Sequence, residues 1–173
     1  MPTDLPDSLN AEDLYRTLLE QVRAKLAGVP DLAIVGIHTG GAWVAERLAA
    51  DLGLQDRLGF LDISFYRDDY AQKGLHPEVK STRIDFDVDG ATLLLVDDVL
   101  YTGRTVRAAL NALFDYGRPQ RIVLAALVER DGRQLPVAAD FAGARTALGP
   151  GQSLTLARGT DGQLSLTIDN DNA

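Results

Sequence analysis

Two adjacent carboxylates, Asp97 and Asp98, end the apolar run 93–96, and Thr102-Gly103-Arg104-Thr105 follows after a short spacer. Paired carboxylates accept hydrogen bonds from the neighbouring hydroxyls of a sugar. A helical pattern opens at Thr105, so free backbone amides and the positive end of a helix dipole converge on residues 102–105, where a phosphate could sit. A phosphate site beside a diol site describes a phosphorylated ribose. An acidic turn before a capped helix would account for the Asp pair alone. Strand, acid pair, spacer and Thr-Gly-Arg-Thr together make that bland account the poorer one. The generic nucleotide signatures are absent: there is no G-x-x-x-x-G-K-[ST], and no G-x-G-x-x-G after the first strand. His38 and His76 lack partners at metal-ligand spacing, so a metal site built by the protein alone is not expected.

Periodicity supplies the elements that must hold these groups. Asn10 is a plausible cap for a helix in which Leu14, Leu18, Val22 and Leu26 recur every four residues, stopped by Gly28 and Pro30. Residues 33–37 form a short apolar strand, 38–41 a turn, and 42–52 a second helix. Residues 58–66 are the next strand, 67–82 a long polar loop, and 83–88 a weakly alternating extra strand before the Asp89-Gly90 turn. The strand 92–96 leads to the acid pair, then come a helix from Thr105 to about Tyr116 and a buried strand at 121–128. Residues 129–151 read as irregular, and Leu154, Leu156, Leu164, Leu166 and Ile168 alternate around Gly159-Thr160-Asp161-Gly162 as a terminal hairpin. Apolar strands alternating with helices predict an α/β fold, a mostly parallel twisted sheet with helices on both faces. Ligands bind such sheets beyond the carboxyl ends of the strands. The loops at 38–41, from Arg67 onward and at 97–104 should therefore meet at one rim.

Bulk properties set the frame. A chain of 173 residues with 46% hydrophobic and 24% charged content suits one soluble domain, expected to span 1–173 with a loose arm at 1–9. Cysteine is absent, which excludes disulfides and thiolate metal sites. No stretch is long and apolar enough to span a bilayer and the first residues lack the pattern of a signal peptide, so a cytoplasmic location without membrane partners is expected. The net charge of −8 argues against a generally basic nucleic-acid surface.

Residues 93–105 resemble the signature of the type I phosphoribosyltransferases, which use phosphoribosyl pyrophosphate (PRPP) and in which two acids after an apolar strand precede a T-G-x-T loop. Residues 96–108 narrow the likeness to the PyrR family, regulators of pyrimidine operons that are also uracil phosphoribosyltransferases. Ser64-Phe65-Tyr66-Arg67-Asp68-Asp69, Asp115-Tyr116-Gly117-Arg118-Pro119 and Leu135-Pro136 extend it from the first helix to Gly143.

The resemblance implies the type I phosphoribosyltransferase fold, with 67–82 as the flexible loop closing over the site and 129–151 as a small hood. It makes Asp97, Asp98 and Arg67 the catalytic residues, with Asp97 and Asp98 on the ribose hydroxyls. Thr102, Gly103, Arg104 and Thr105 would bind the 5-phosphate, and Thr39, Gly40, Gly41 and Arg67 the pyrophosphate. Tyr101, Val128, Arg130, Phe141 and Ala142 would face the base, with Phe141 evenly balanced between stacking and core. Mg2+ would be held mainly by substrate and water, with Asp97 and Asp98 as the protein groups in reach. Purine enzymes of the family carry an acid where this chain has Tyr101, so the base expected is uracil, the reaction uracil plus PRPP giving UMP and pyrophosphate. The alternatives are a UMP-sensing attenuator that binds pyr leader RNA with little catalysis, and a hypoxanthine/guanine phosphoribosyltransferase. A homo-oligomer, dimer or higher, is also implied. Two departures stand out. His38-Thr39-Gly40-Gly41 replaces the family's frequent K-T-R-G, which removes two cations, and Glu129 stands where an Asp is common.

Overall fold

The computed structural model describes residues 9–64 and 82–171. The order of elements is α1 (Ala11–Leu26), β1 (Leu32–Ile37), α2 (Gly40–Leu52), β2 (Leu58–Leu61), β3 (Thr92–Leu100), α3 (Arg104–Phe114), β4 (Arg121–Arg130), β5 (Phe141–Thr146), β6 (Gln152–Arg158) and β7 (Leu164–Asn170). Strands β1 to β5 form one sheet in the order β2-β1-β3-β4-β5, and every pairing in it is parallel. The hairpin β6–β7 is separate and antiparallel.

Alternation along the strands divides the core. Ile34, Leu94, Val96, Val123, Ala125 and Leu127 face one apolar cluster, where the buried stripe of α1 (Leu14, Leu18, Val22, Leu26) and Val44 and Leu48 of α2 cover them. Ala33, Val35, Leu93, Leu95, Leu124 and Ala126 face the other, under Val106, Ala109 and Leu113 of α3. A right-handed crossover requires the helix to change face when the chain reverses its direction of travel across the sheet. The chain moves one way from β1 through α2 to β2 and the other way from β3 through α3 to β4, so the reversal falls between the adjacent strands β1 and β3. A crevice at such a switch point is the ligand site of an open α/β sheet.

Several expectations need correction. The arm expected at 1–9 is not loose at its end: Leu9 is buried in the core, while 1–8 lie outside the described residues. The strand expected over 58–66 stops at Leu61, where the Asp62 side chain turns back to accept the Ser64 amide at 2.9 Å. Residues 83–88 make no strand, only a two-way bridge between Arg83 and Phe60. The largest change concerns 129–151. β4 runs on to Arg130, and 141–146, read as irregular, form the fifth strand of the central sheet. Asp140 starts that pairing from both its groups: its amide donates to the Leu124 carbonyl at 2.8 Å and its carboxylate accepts the Leu124 amide at 2.9 Å. Gln21 of α1 then closes the outer edge, donating to the Ala142 carbonyl at 3.0 Å and accepting its amide at 3.2 Å. The terminal hairpin forms as expected, placing Leu156, Leu164 and Leu166 against the cluster covered by α1 and α2.

Candidate active site

β3 does not end at the acid pair. Asp97 pairs with Ala126, and the ladder continues through Val99 to Leu100, so both carboxylates are carried by strand rather than loop. The flanking Leu95 and Val96 face opposite clusters, and the acids continue that alternation. Asp97 is buried at 3% exposure and Asp98 is half-buried. Each commits one oxygen to backbone: Asp97 accepts the Asp98 amide at 2.9 Å and Asp98 accepts the Val99 amide at 2.8 Å.

The start of α2 lies against this strand. A Cβ on Gly41 would come within 2.5 Å of the Val96 carbonyl oxygen, and one on Gly40 would overlap the Asp98 carboxylate. Glycine is required at position 41, where backbone touches backbone, while at position 40 the Asp98 side chain alone stands in the way. The peptide between His38 and Thr39 is cis, and the His38 ring packs at 5.3 Å from Phe60. The sequence-expected pyrophosphate residues Thr39, Gly40 and Gly41 are thus brought beside Asp98.

The 5-phosphate candidates occupy the turn into α3. Gly103 sits in the left-handed region at φ 95°, and its Cβ would meet Val137 at 2.5 Å. Thr102 accepts the Arg104 amide on its hydroxyl at 3.2 Å. Arg104 reaches Gln134 with Nε at 3.2 Å, and Thr105 lies in the first turn of α3. The three helices differ at their N-termini. α1, remote from the crevice, has a conventional cap, Asn10 accepting the Asp13 amide at 3.1 Å. The cap positions of α2 and α3, Thr39 and Gly103, make no side-chain capping bond. A helix start without such a cap leaves donors for an anion, although at α3 the Arg104 amide is already taken by the Thr102 hydroxyl.

Of the base candidates, Tyr101 and Arg130 come together, the guanidinium 3.9 Å above the ring centroid. They line a cleft of about 440 Å³ with Asp131, Gly132 and the 148–153 turn, from which the Gln152 carbonyl accepts Arg130 Nη1 at 2.9 Å. Val128, Phe141 and Ala142 do not join them. Val128 and Phe141 are buried in the apolar cluster shared with α1, and Ala142 is buried in the opposite one. Phe141 pairs with Ala125, well below the strand ends, so its ring is core and offers no stacking face. Arg67, with Tyr66 and the remainder of the expected closing loop up to 81, lies outside the described residues. Thr82, which is described, holds the residue after β2: its hydroxyl accepts the Asp62 amide at 2.9 Å.

Sequence reading missed the groups behind the turn into α3. Arg133, Gln134 and Leu135 all bond to the carbonyls of Tyr101 and Thr102. Only the Glu129/Arg133 spacing of opposite charges hinted at it, in a stretch read as irregular. Among the described residues no group of three or more metal-binding side chains occurs. Two adjacent carboxylates fit Mg2+ only where substrate and water complete its shell. No helix of the described residues is long and apolar enough to cross a membrane.

A cleft of about 530 Å³ lies at the opposite end of the sheet, between the ends of α1 and α2 and residues 54–57. It contains none of the groups above.

The phosphoribosyl transferase domain family model matches residues 3–146. The chain is 51% identical over 156 residues to the bifunctional protein PyrR of Ralstonia nicotianae, with 89% of each chain covered. It is 50% identical over 155 residues to that of Nitrosococcus oceani, covering 87% of this chain and 88% of the relative. Among solved structures, a hypoxanthine phosphoribosyltransferase from Trypanosoma cruzi superposes with a TM-score of 0.62 at 18% identity, covering 91% of this chain and 92% of the other. That last likeness is one of fold.

Proposed function

The chain belongs to the phosphoribosyl transferase family as a PyrR-type protein, and on that premise we propose that it converts uracil and PRPP to UMP and pyrophosphate with Mg2+. One observation carries the reading. The uncapped start of α2 lies against the Asp98 carboxylate at the switch point between β1 and β3, and β3, the strand that carries the acid pair, runs on into the turn before α3. That geometry offers two anion sites flanking a diol site, the three polar parts of PRPP.

In this reading the turn Thr102-Gly103-Arg104-Thr105 takes the 5-phosphate, through the amides of Thr102, Gly103 and Thr105, the Arg104 amide being held by the Thr102 hydroxyl, and the amides of Thr39 to Gly41 take the pyrophosphate. Asp97 and Asp98 accept the ribose hydroxyls. As the C1–O bond to pyrophosphate breaks, positive charge grows on the ribose ring, and the two carboxylates stabilise it. Uracil N1 then bonds to C1 as its proton passes to the departing pyrophosphate or to water. Bound Mg2+ would offset the charge of the departing pyrophosphate. Tyr101, with no carboxyl to serve a purine ring nitrogen, and Arg130 stacked on it, border the base side.

The test is incubation of purified protein with labelled uracil, PRPP and Mg2+. UMP should accumulate, and hypoxanthine or guanine should not be incorporated. No UMP above background, beside an active control enzyme, would overturn the assignment, and purine incorporation would replace it with the purine reading. A regulatory role is a second reading, favoured by the exposed arginines 104, 107, 118 and 121 on α3 and its exit. UMP-dependent retention of pyr leader RNA on filters at moderate salt supports it, and retention indifferent to UMP removes it.

A further inference from the structure

We infer that Arg133 is the positioning residue of the phosphate turn: held by Glu129, it fixes the peptide plane between Tyr101 and Thr102 so that the Thr102 amide faces the crevice before substrate arrives. The inference rests on the 5-phosphate site proposed above.

The carbonyl of one residue and the amide of the next share one rigid plane and point in opposite directions. Anchoring a carbonyl from behind therefore aims the following amide forward. The Tyr101 carbonyl accepts Arg133 Nη1 in a short hydrogen bond. The Thr102 carbonyl accepts the amides of Gln134 at 2.9 Å and Leu135 at 3.2 Å, which fixes the Gly103 amide in the same way. The three guanidinium nitrogens of Arg133 serve three segments. Nη1 holds the phosphate turn, Nε donates to the Val137 carbonyl at 2.9 Å, and Nη2 meets Glu129 Oε1 at 2.6 Å on the end of β4. The second Glu129 oxygen accepts Arg145 Nε of β5 at 2.8 Å. Both ends of the Glu129–Arg133 pair are shielded, at 12% and 23% side-chain exposure, which strengthens it relative to a surface pair. A planar guanidinium with a fixed fork can satisfy three acceptors at once, whereas an ammonium on a flexible stem is a point donor.

Such a clamp removes a reorganisation cost from binding and so acts on affinity for the phosphate. The experiment measures binding of ribose 5-phosphate and UMP by calorimetry, and the PRPP KM and kcat, for wild type, Arg133→Lys, Arg133→Ala and the surface control Arg16→Met. Arg133→Ala should weaken both ligands and raise the PRPP KM about tenfold or more, with a smaller change in kcat and in the uracil KM. Lysine should recover only part of the loss, and millimolar guanidinium should restore Arg133→Ala further. Wild-type affinity in both Arg133 variants, with the fold intact by circular dichroism, overturns the inference. Equal losses in the PRPP and uracil parameters, unmoved by guanidinium, also overturn it, since a merely structural residue behaves so. If Arg133→Ala does not fold, the lysine variant decides alone. Wild type that binds neither ligand would instead overturn the 5-phosphate site itself.

Discussion

The loops after β1 and β3 both deliver a helix start to the same crevice, yet they are built on opposite plans. The first is held by proximity. Gly40 and Gly41 are buried, and space for a side chain is already taken by Asp98 and by the backbone at Val96. The second is held by hydrogen bonds from behind, through Arg133, Gln134 and Leu135, with Gly103 seated on Val137. A loop fixed by contact needs its own residues to be small, and so writes itself into the local sequence as Gly-Gly. A loop fixed by a clamp depends on residues some thirty positions later. Asp98 belongs to both, lying over Gly40 while its strand leads into the second turn.

The largest effect should therefore come from Asp98. Asp98→Asn removes charge without volume, and UMP formation should fall on the order of 10²-fold or more while the thermal midpoint stays near wild type. Activity within a few fold of wild type would mean that the two loops do not converge on a ribose. The next pair separates the roles of the two glycines. A methyl on Gly41 meets main chain, which cannot yield, so Gly41→Ala should cost about 3 kcal/mol of stability, read by urea unfolding. A methyl on Gly40 meets a carboxylate, which can swing away, so Gly40→Ala should lose turnover more than stability. Equal stability losses would show that Asp98 is as rigid as the strand.

Much of this was legible in the sequence where the physics is local. The strand, the acid pair and the Thr-Gly-Arg-Thr turn lie within thirteen residues, and short-range periodicity locates them. The replacement of K-T-R-G by His38-Thr39-Gly40-Gly41 read as a loss of cations; the fold shows that position 40 has no room for a side chain while Asp98 stands where it does. What escaped was non-local. β5 has no alternation to announce it, because its pairing is started by Asp140 and its outer edge is closed by Gln21, 121 positions from its partner Ala142. Phe141 could not be decided between base and core from its type, since the register that buries it belongs to the whole sheet. The Arg133 clamp was hidden for the same reason.

The second loop has its own probe. Gly103→Ala imposes a side chain at φ 95° and a contact of 2.5 Å with Val137, and should cost about 2 kcal/mol together with weaker PRPP binding. Adding Val137→Ala opens the space and leaves the backbone cost. The double variant should recover some stability, and should recover PRPP affinity only if the turn returns to its clamped position. Full recovery of both would mean that sterics alone, without left-handed geometry, explain the glycine.

The smallest effect should touch neither loop, and so checks that the others are local. Glu12 joins α1 to α2 and to the terminal hairpin, accepting Arg47 at 2.8 Å and the Leu164 amide at 2.8 Å. Burial alone would raise its carboxyl, but the Leu164 amide and the Arg47 guanidinium outweigh that and hold it below the ordinary 4.5. A group with a depressed folded pKa stabilises above its unfolded value, and that contribution fades as pH falls through the folded one. Glu12→Gln should therefore be less stable than wild type by about 1 kcal/mol at pH 7, the gap narrowing steadily below pH 4.5. Urea midpoints across pH 3 to 7 would measure it, on the order of one unit apart per point. A gap that is constant with pH would assign the loss to packing rather than to charge. A change in PRPP KM at pH 7 would mean that the hairpin junction reaches the crevice after all, and that the two loops are not the separate constructions their contacts describe.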